Sequence, residues 1–205
     1  EVLIFCRKGS TRNNNLPKNH LITKVYCDLS QLKIIQNETG KEWDIFYHLA
    51  WDGTTGDARN DMYLQNLNVK YALEAVEAAH RFGCKKFVGV GSQAEYGRIE
   101  GMLEPNTPAF PETGYGIAKL CAYQMTRELT YQIGMKYNWV RILSVYGPND
   151  GAQSMVMSTI NKLRNNEIPQ FTKGEQMWDY LYSDDAGRAF RLVGEKGVDR
   201  KVYVL

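Results

Sequence analysis

The stretch Lys86-Phe87-Val88-Gly89-Val90-Gly91 predicts a buried strand, and a polar loop, residues 92–97, leaves its carboxyl end. Upstream of this strand, residues 62–82 have apolar side chains at helical spacing and are followed by Gly83, which is typical of a helix that ends at a C′ glycine. Downstream, a long loop leads to a second predicted helix at about 115–133. A buried strand with a helix before and after it indicates a mostly parallel sheet that is covered by helices.

The same alternation of strands and helices continues toward both ends of the chain. We expect the other strands at 2–6, 21–26, 44–49, 139–145 and 202–205, and the other helices at 30–36, 154–165 and 184–194. This order predicts an α/β protein with a doubly wound parallel-sheet Rossmann fold. Ligands of such sheets bind at the carboxyl ends of the strands, so the residues at those ends are the candidates for a functional site.

We expect two domains within these residues. Residues 1–150 would form a dinucleotide-binding Rossmann domain, and residues 151–205 would form the start of a small C-terminal substrate domain together with a returning Rossmann strand. Because the chain begins and ends inside apolar runs, we also expect it to be part of a longer protein. Its first strand and its glycine-rich phosphate loop would then lie upstream.

The composition is that of an ordinary globular chain, with 205 residues, 43% of them hydrophobic, and a net charge of +2. This charge balance gives no indication of a nucleic-acid partner. The four cysteines are far apart and form no C-x-x-C pair, so neither a zinc site nor a disulfide framework is predicted. No apolar run approaches the ~18 residues of a membrane helix. We therefore expect a cytoplasmic protein with no metal and no membrane partner.

Tyr115 and Lys119 lie four residues apart on a predicted helix, which places them on one face. An ammonium group near a tyrosine favours the phenolate, so we expect Lys119 to lower the pKa of Tyr115 and to make it usable in proton transfer. The spacing alone is also compatible with an ordinary exposed helix pair. Its meaning therefore depends on the segments around it.

Six segments at strand ends, or in the helices that follow, resemble the extended short-chain dehydrogenase/reductase family, which includes nucleotide-sugar epimerases, dehydratases and reductases. The segments occur in the order of the family and span nearly the whole chain. They are Tyr47-His48-Leu49-Ala50, Asn68-Val69, residues 91–97, residues 115–119, residues 141–148 and residues 174–185.

The resemblance implies a catalytic set made of Ser92, Tyr115 and Lys119. Tyr115 would move the proton at a sugar hydroxyl or carbonyl group, Lys119 would bind the nicotinamide ribose, and Ser92 would hydrogen-bond the reacting oxygen. Asn68 would support this site, or alternatively form a hydrogen bond between helices. His48 is expected to be a strand-end residue rather than a catalyst.

The resemblance also implies a cofactor site. Asp28 and Leu29 would contact the adenine ring, with a helix-start role for Asp28 as the alternative, and Leu49 and Ala50 would flank the cofactor. At the end of the first strand, an acidic residue selects NAD whereas arginine accommodates the 2′-phosphate of NADP. Arg7 stands there with no carboxylate nearby, which favours NADP, with NAD as the second choice. A solvated basic loop is the alternative interpretation.

Three departures from the family pattern bear on the reaction. The dehydratases follow the Ser92 position with an acidic pair, whereas Gln93 and Ala94 supply no acid or base, so dehydration is not expected. Ser144 replaces a frequent asparagine, and Trp178 stands where the family has a diphosphate-binding arginine. Both are still expected in the substrate site, where Trp178 would pack or stack on a base.

These observations favour an NADP-dependent reductase of a nucleotide-activated 4-keto-6-deoxy sugar. An NAD-dependent nucleotide-sugar 4-epimerase is the nearest alternative, and a non-catalytic dinucleotide-binding regulatory protein is the second. The helices predicted at 62–82 and 115–133 are each apolar over more than the ~100° stripe that packs on a sheet. We therefore expect a homodimer through these helices, as in relatives of the fold, which Leu120→Asp or Tyr123→Asp would split. Another segment of the protein covering that face is the alternative.

Overall fold

The structure, a computed structural model, describes residues 1–205. The chain folds into eight strands, four α-helices and four 3₁₀ turns. The strands are β1 (Val2–Cys6), β2 (Ile22–Tyr26), β3 (Ile45–His48), β4 (Lys86–Ser92), β5 (Lys136–Ile142), β6 (Val145–Tyr146), β7 (Leu181–Tyr182) and β8 (Val202–Val204). The helices are α1 (Met62–Arg81), α2 (Gly114–Gln132), α3 (Met155–Arg164) and α4 (Ser183–Lys196). Four 3₁₀ turns lie between them, at Thr11–Asn15, Leu29–Gln31, Gly56–Asn60 and Gln93–Glu95.

All strand pairs are parallel. The main sheet has four strands in the order β3-β4-β5-β8, and β1 pairs with β2 while β6 pairs with β7. Helices α1 and α2 pack on one face of the main sheet, and Val193 of α4 packs on the other. This arrangement confirms the predicted doubly wound Rossmann fold. The returning strand predicted at residues 202–205 is present as β8, which pairs with β5. The domain division at residue 150 stays a prediction.

The glycines of β4 make room for one large aromatic ring. Gly89 lies opposite Trp139 of β5, and a Cβ added to Gly89 would collide with the Trp139 indole. Alternate residues of a strand point to opposite faces, so Phe87 and Trp139 face α1 and α2 whereas Val88 faces α4. The rings of Phe46, Phe87 and Tyr137 stack across β3, β4 and β5, with successive centroids 5.8 and 6.3 Å apart. A glycine at position 89 of β4 is therefore required so that the Trp139 ring can pack against the backbone of this strand.

The short helix predicted at 30–36 was wrong. In its place is the 3₁₀ turn Leu29–Gln31, whose N-cap is Asp28. The Asp28 carboxylate accepts the Ser30 N–H (3.2 Å), and the Gln31 side-chain oxygen accepts the Asp28 N–H (2.8 Å). This reciprocal capping box closes the turn on itself.

The strand predicted at 139–145 begins and ends three residues earlier, as β5. Its start was missed because Asn138 is a buried polar residue, and the Asn138 amide donates to the carbonyls of Val198 (2.6 Å) and Lys201 (3.2 Å). Past Ile142 the chain leaves the main sheet, and Val145 pairs with Leu181 instead. The two-residue strands β6 and β7 were not predicted, because segments of that length show no periodicity. None of the helices has the length and apolar character that crossing a membrane requires.

Candidate active site

The structure brings the three predicted catalytic residues together at the carboxyl end of β4. Ser92 is the last residue of β4, and Tyr115 and Lys119 lie in the first turns of α2, which begins at the N-cap Thr113. The Lys119 ammonium donates to the carbonyl of Val90 in β4 (2.8 Å). Burial raises the pKa of Tyr115, and hydrogen bonding by the Ser92 side chain acts in the opposite direction. The strand and the helix therefore form one site.

Lys119 is an almost completely buried ammonium group. Its Nζ lies 3.9 Å from the ring centroid of Trp51, which forms a cation–π contact, in addition to the bond to Val90. Burial lowers the pKa of Lys119 to about 7, against an upward pull from the Glu95 carboxylate. Lys119 can thus gain or lose its proton near neutral pH. Next to it, burial and then the Lys119 charge lower the pKa of His48 to about 3, so this histidine is neutral.

The expectation that Lys119 lowers the pKa of Tyr115 was wrong. Burial raises the pKa of Tyr115, because the phenolate is poorly solvated in this site. The groups that act in the opposite direction are Ser92, by hydrogen bonding, and Arg59, by its charge. The Lys119 Nζ lies 5.8 Å from the Tyr115 ring centroid and is directed to Val90. Tyr115 is therefore a protonated phenol at neutral pH, which suits a proton donor.

Glu95 is a buried carboxylate that sequence reasoning missed. It lies in the 3₁₀ turn after β4, has 0% exposure, and accepts hydrogen bonds from three other residues. The donors are the Ser92 N–H (2.8 Å), the indole Nε1 of Trp139 (3.0 Å) and the Arg141 Nε (2.8 Å). A signal was present in the sequence, because Ser92 followed three residues later by Glu95 is a capping-box pattern.

Two consequences follow from the position of Glu95. Its oxygens are engaged by three donors and sealed from solvent, so it does not replace the acid that Gln93 and Ala94 fail to supply for dehydration. It also links the end of β4 to β5, since Arg141 and Trp139 both belong to β5. The backbone of Ser92 is held by this link.

The loop that follows β3 is anchored to α1 by two amide side chains. Asn68 donates to the Asp52 carbonyl (2.9 Å) and accepts the Asp52 N–H (2.9 Å). Gln65 accepts from the Trp51 indole Nε1 (2.9 Å), which fixes the ring that contacts Lys119. Asn68 thus acts on this loop and makes no bond between helices. Gln65 and Trp51 were not anticipated from the sequence.

The predicted cofactor residues lie at the carboxyl ends of the first three strands. Asp28 is the N-cap of the 3₁₀ turn that follows it, which is the helix-start role given as the alternative to an adenine contact. Leu29 is partly buried against the core, whereas Leu49 is 64% exposed at the end of β3. The Arg7 side chain is exposed and forms no ion pair or hydrogen bond.

These residues fit a dinucleotide. The Lys119 ammonium has three N–H donors and uses one on Val90, which leaves donors for ribose hydroxyl groups. Leu49 and Ala50 offer exposed apolar surface at the same edge, and the free guanidinium of Arg7 is suited to a phosphate. No group of three or more His, Cys, Asp or Glu side chains is arranged to hold a metal ion.

Ser144 and Trp178, two of the departures from the family pattern, contact one another. The Trp178 Nε1 donates to the Ser144 hydroxyl (2.8 Å), just before β6 and β7 pair. The Trp178 ring also packs in an aromatic cluster with Tyr180, Tyr146 and Tyr182, in which neighbouring ring centroids are 5.6–6.5 Å apart. Trp178 therefore packs among aromatic rings, at the position that the resemblance assigns to a diphosphate-binding arginine.

The chain is similar to known proteins in sequence. The sequence model described as NAD dependent epimerase/dehydratase family matches residues 1–205, which confirms the resemblance found in the six segments. A Bacillus subtilis (strain 168) protein described as an uncharacterized UDP-glucose epimerase is 24% identical over 153 residues, or 73% of this chain and 48% of that protein. The dTDP-glucose 4,6-dehydratase of Streptomyces niveus is 25% identical over 154 residues, or 74% of this chain and 45% of that enzyme. The chain spans about half the length of these curated relatives.

The fold is also similar to solved structures. The dTDP-glucose 4,6-dehydratase DesIV from Streptomyces venezuelae, solved with NAD bound, aligns with a TM-score of 0.81 at 19% identity. The alignment covers 100% of this chain and 65% of that chain. At this identity the likeness establishes the fold alone.

We expect the stability of the protein to depend on pH through Lys119. The folded-state pKa of about 7 lies below the ordinary lysine value, so between about pH 7 and pH 10 the unfolded chain binds more protons than the folded one. The buried lysine is therefore destabilising at pH 7, and this effect disappears as the pH rises. The free energy of unfolding of Lys119→Met, relative to the parent, should fall between pH 7 and pH 10 in urea denaturation.

Lys70→Met is the matched control, because it removes an exposed lysine of α1 whose side chain is 62% exposed. Its effect on the free energy of unfolding should be nearly the same at both pH values. If Lys119→Met and Lys70→Met depend on pH equally, the lowered pKa of Lys119 is wrong.

Proposed function

The chain belongs to the NAD dependent epimerase/dehydratase family, and on that premise we propose that it is part of an NADP-dependent reductase of nucleotide-activated 4-keto-6-deoxy sugars. The observation that carries the proposal is a buried, protonated Tyr115 beside Ser92 and Lys119 at the carboxyl edge of β4. The sealed Glu95 carboxylate and the absence of an acid at Gln93 and Ala94 speak against dehydration.

The proposed step is the reduction of the 4-keto group to a hydroxyl group. When bound, NADPH would supply the chemistry of hydride transfer to the carbonyl carbon. Tyr115 gives its phenol proton to the carbonyl oxygen, which balances the hydride and leaves a tyrosinate. Ser92 donates a hydrogen bond to the same oxygen, where negative charge develops. Lys119 would donate hydrogen bonds to the ribose hydroxyl groups of the cofactor.

A nucleotide-sugar 4-epimerase is the second candidate. It is favoured by the match to the Bacillus subtilis relative described as a UDP-glucose epimerase. An epimerase would use the same three residues but would consume no reduced cofactor. A non-catalytic binding protein is less well supported, since binding alone has no need for Ser92, Tyr115 and Lys119 together.

The proposed preference for NADP rests on Arg7. Its guanidinium is exposed and unpaired at the end of β1, and no acidic side chain lies in that part of the loop. NAD is the alternative, since the family description names it and the DesIV structure holds it. The two cofactors differ in the 2′-phosphate, so Arg7 is the residue to test.

We also propose a homodimer formed through α1 and α2. Exposed apolar side chains on these helices support it, among them Met62, Ile117, Met125 (45% exposed) and Tyr131 (68% exposed). Not all the residues first considered point outward. Of the two positions named from the sequence, Tyr123 has its ring packed 5.7 Å from that of Trp139, so Tyr123→Asp would damage the core instead of testing the dimer.

We predict that Tyr115→Phe abolishes turnover and leaves NADPH binding nearly intact. The variant keeps the buried ring but lacks the phenol proton, so the rate should fall by at least about 10²-fold. The assay is stoichiometric consumption of NADPH with nucleotide-activated 4-keto-6-deoxy sugars, and cofactor affinity is measured by titration calorimetry.

Tyr131→Phe removes an exposed hydroxyl group on the same helix and should change neither quantity. A Tyr115→Phe rate within about tenfold of the parent would exclude the proton-transfer role of Tyr115. Turnover of a nucleotide sugar without net NADPH consumption would favour the epimerase.

We predict that the protein binds NADPH more tightly than NADH and that Arg7→Ala narrows the difference. The reason is that the Arg7 guanidinium would pair with the 2′-phosphate, which NADH lacks. The dissociation constants must be compared at one ionic strength, because an exposed pair is screened by salt. Arg12→Ala, another exposed arginine of the same loop, is the control. Equal affinities for the two cofactors in the parent would refute the preference.

We predict that Met125→Asp splits the homodimer, because a two-fold interface receives each new charge twice. The measurement is light scattering of the full-length protein at micromolar concentration. Leu192→Asp is the control, since Leu192 is 52% exposed on α4, on the other side of the sheet. A monomeric parent protein would end the dimer proposal and would favour coverage of this face by another segment.

A further inference from the structure

The 3₁₀ turn Gly56–Asn60, between β3 and α1, is fixed against the start of α2. The Asn60 side chain accepts the Gly114 N–H (3.0 Å), which satisfies one of the free donors at the N-terminus of α2. Gly114 also permits the close approach, since a Cβ there would press on the Arg59 carbonyl (3.1 Å) and on the Met62 sulfur (2.8 Å). The backbone of Arg59 is therefore held against Gly114, the residue that precedes Tyr115 on α2.

The side chain of Arg59 lies on the ring of Tyr115. Its Cζ is 4.4 Å from the ring centroid, and its Nη1 donates to the Thr54 carbonyl (2.9 Å). No carboxylate forms an ion pair with Arg59. The guanidinium charge is thus fixed by its own loop, is not neutralised by a salt bridge, and faces the tyrosine.

Two other ionisable groups, Glu95 and Lys119, lie near this tyrosine, and a third, His48, lies next to Lys119. None of them takes the place of Arg59. Glu95, in the turn after β4, acts against ionisation of Tyr115. Lys119, on α2 itself, is directed to Val90 and Trp51. His48, at the end of β3, is neutral because burial lowers its pKa to about 3. Arg59 is the cation on the ring face.

We propose that Arg59 is a positioning residue for Tyr115, and that its fixed guanidinium favours the tyrosinate formed when Tyr115 gives up its proton. A cation on an aromatic face is attracted to the ring, and a positive charge at this distance stabilises a phenolate much more than a phenol. Arg59 thereby supplies the charge that the Tyr115–Lys119 spacing was expected to supply. The inference rests on the proposed proton-transfer role of Tyr115.

The test is a spectrophotometric pH titration of phenolate absorbance in the full-length protein. The contribution of Tyr115 is the difference between each protein and the same protein carrying Tyr115→Phe. Arg59→Met should raise the pKa of Tyr115 by about one pH unit or more. Arg59→Lys retains a positive charge and should restore part of the shift. Arg188→Met removes an exposed arginine of α4 and should leave the titration unchanged.

A Tyr115 titration that is the same in Arg59→Met and the parent overturns the proposal. If that variant instead raises KM for the sugar with an unchanged Tyr115 titration, Arg59 contacts the substrate and the proposal is also wrong. Arg59→Gln can retain a bond to the Thr54 carbonyl and replaces Arg59→Met if the latter does not fold. The titration requires no turnover, so an active Tyr115→Phe enzyme would refute the proposed function while the effect of Arg59 on Tyr115 could still be measured.

Discussion

The ion pair between Glu95 and Arg141 is the interaction on which the rest of the site depends. A carboxylate removed from water must have its hydrogen bonds supplied by the protein, and Glu95 obtains them from Arg141, Trp139 and the backbone of Ser92. Removing one partner of such a pair leaves a buried charge without compensation, which costs about 3–5 kcal/mol. The pair also explains a feature of β4, because any side chain at Gly91 would collide with Glu95 and Trp139. The end of β4 is thus shaped to admit this carboxylate.

Burial also determines the protonation of the site. Because an ion is poorly solvated in this buried site, the pKa of His48 falls to about 3, the pKa of Lys119 falls to about 7 and the pKa of Tyr115 is raised. The charges that remain are held at fixed places, with Glu95 in the core and Arg59 on the ring of Tyr115. Such a site has a proton to give from Tyr115 and a fixed cation, Arg59, beside the anion that is left. This is the physical basis of the proposed reduction.

Much of the fold could be predicted from the sequence, because it depends on local patterns. The apolar run of β1, the glycine after α1 and the alternation around β4 identify their elements without tertiary information. The short strands β6 and β7 could not be found in this way, since two residues carry no period. Glu95 was missed for a different reason: a carboxylate in a loop sequence is ordinarily exposed, and only the donors from β5 make its burial possible.

The candidate site shows the same limit. Spacing on a helix places Tyr115 and Lys119 on one face, but it does not reveal that the Lys119 amine is directed to the Val90 carbonyl or that both groups are buried. The prediction that the pKa of Tyr115 is lowered was therefore wrong, since burial raises it. Arg59 belongs to no recognised segment, and its contact with Tyr115 arises from the docking of its turn on α2. Such contacts between distant segments become visible only in the folded structure.

A double-mutant cycle on Glu95 and Arg141 tests most directly the claim that this ion pair holds the site together. The free energies of unfolding of Glu95→Gln, Arg141→Met and the double variant are measured by urea denaturation at one pH and one ionic strength. The account predicts that the double variant is more stable than the sum of the two single effects implies, with a coupling of about 1–3 kcal/mol. Effects that add to within about 0.5 kcal/mol would contradict it.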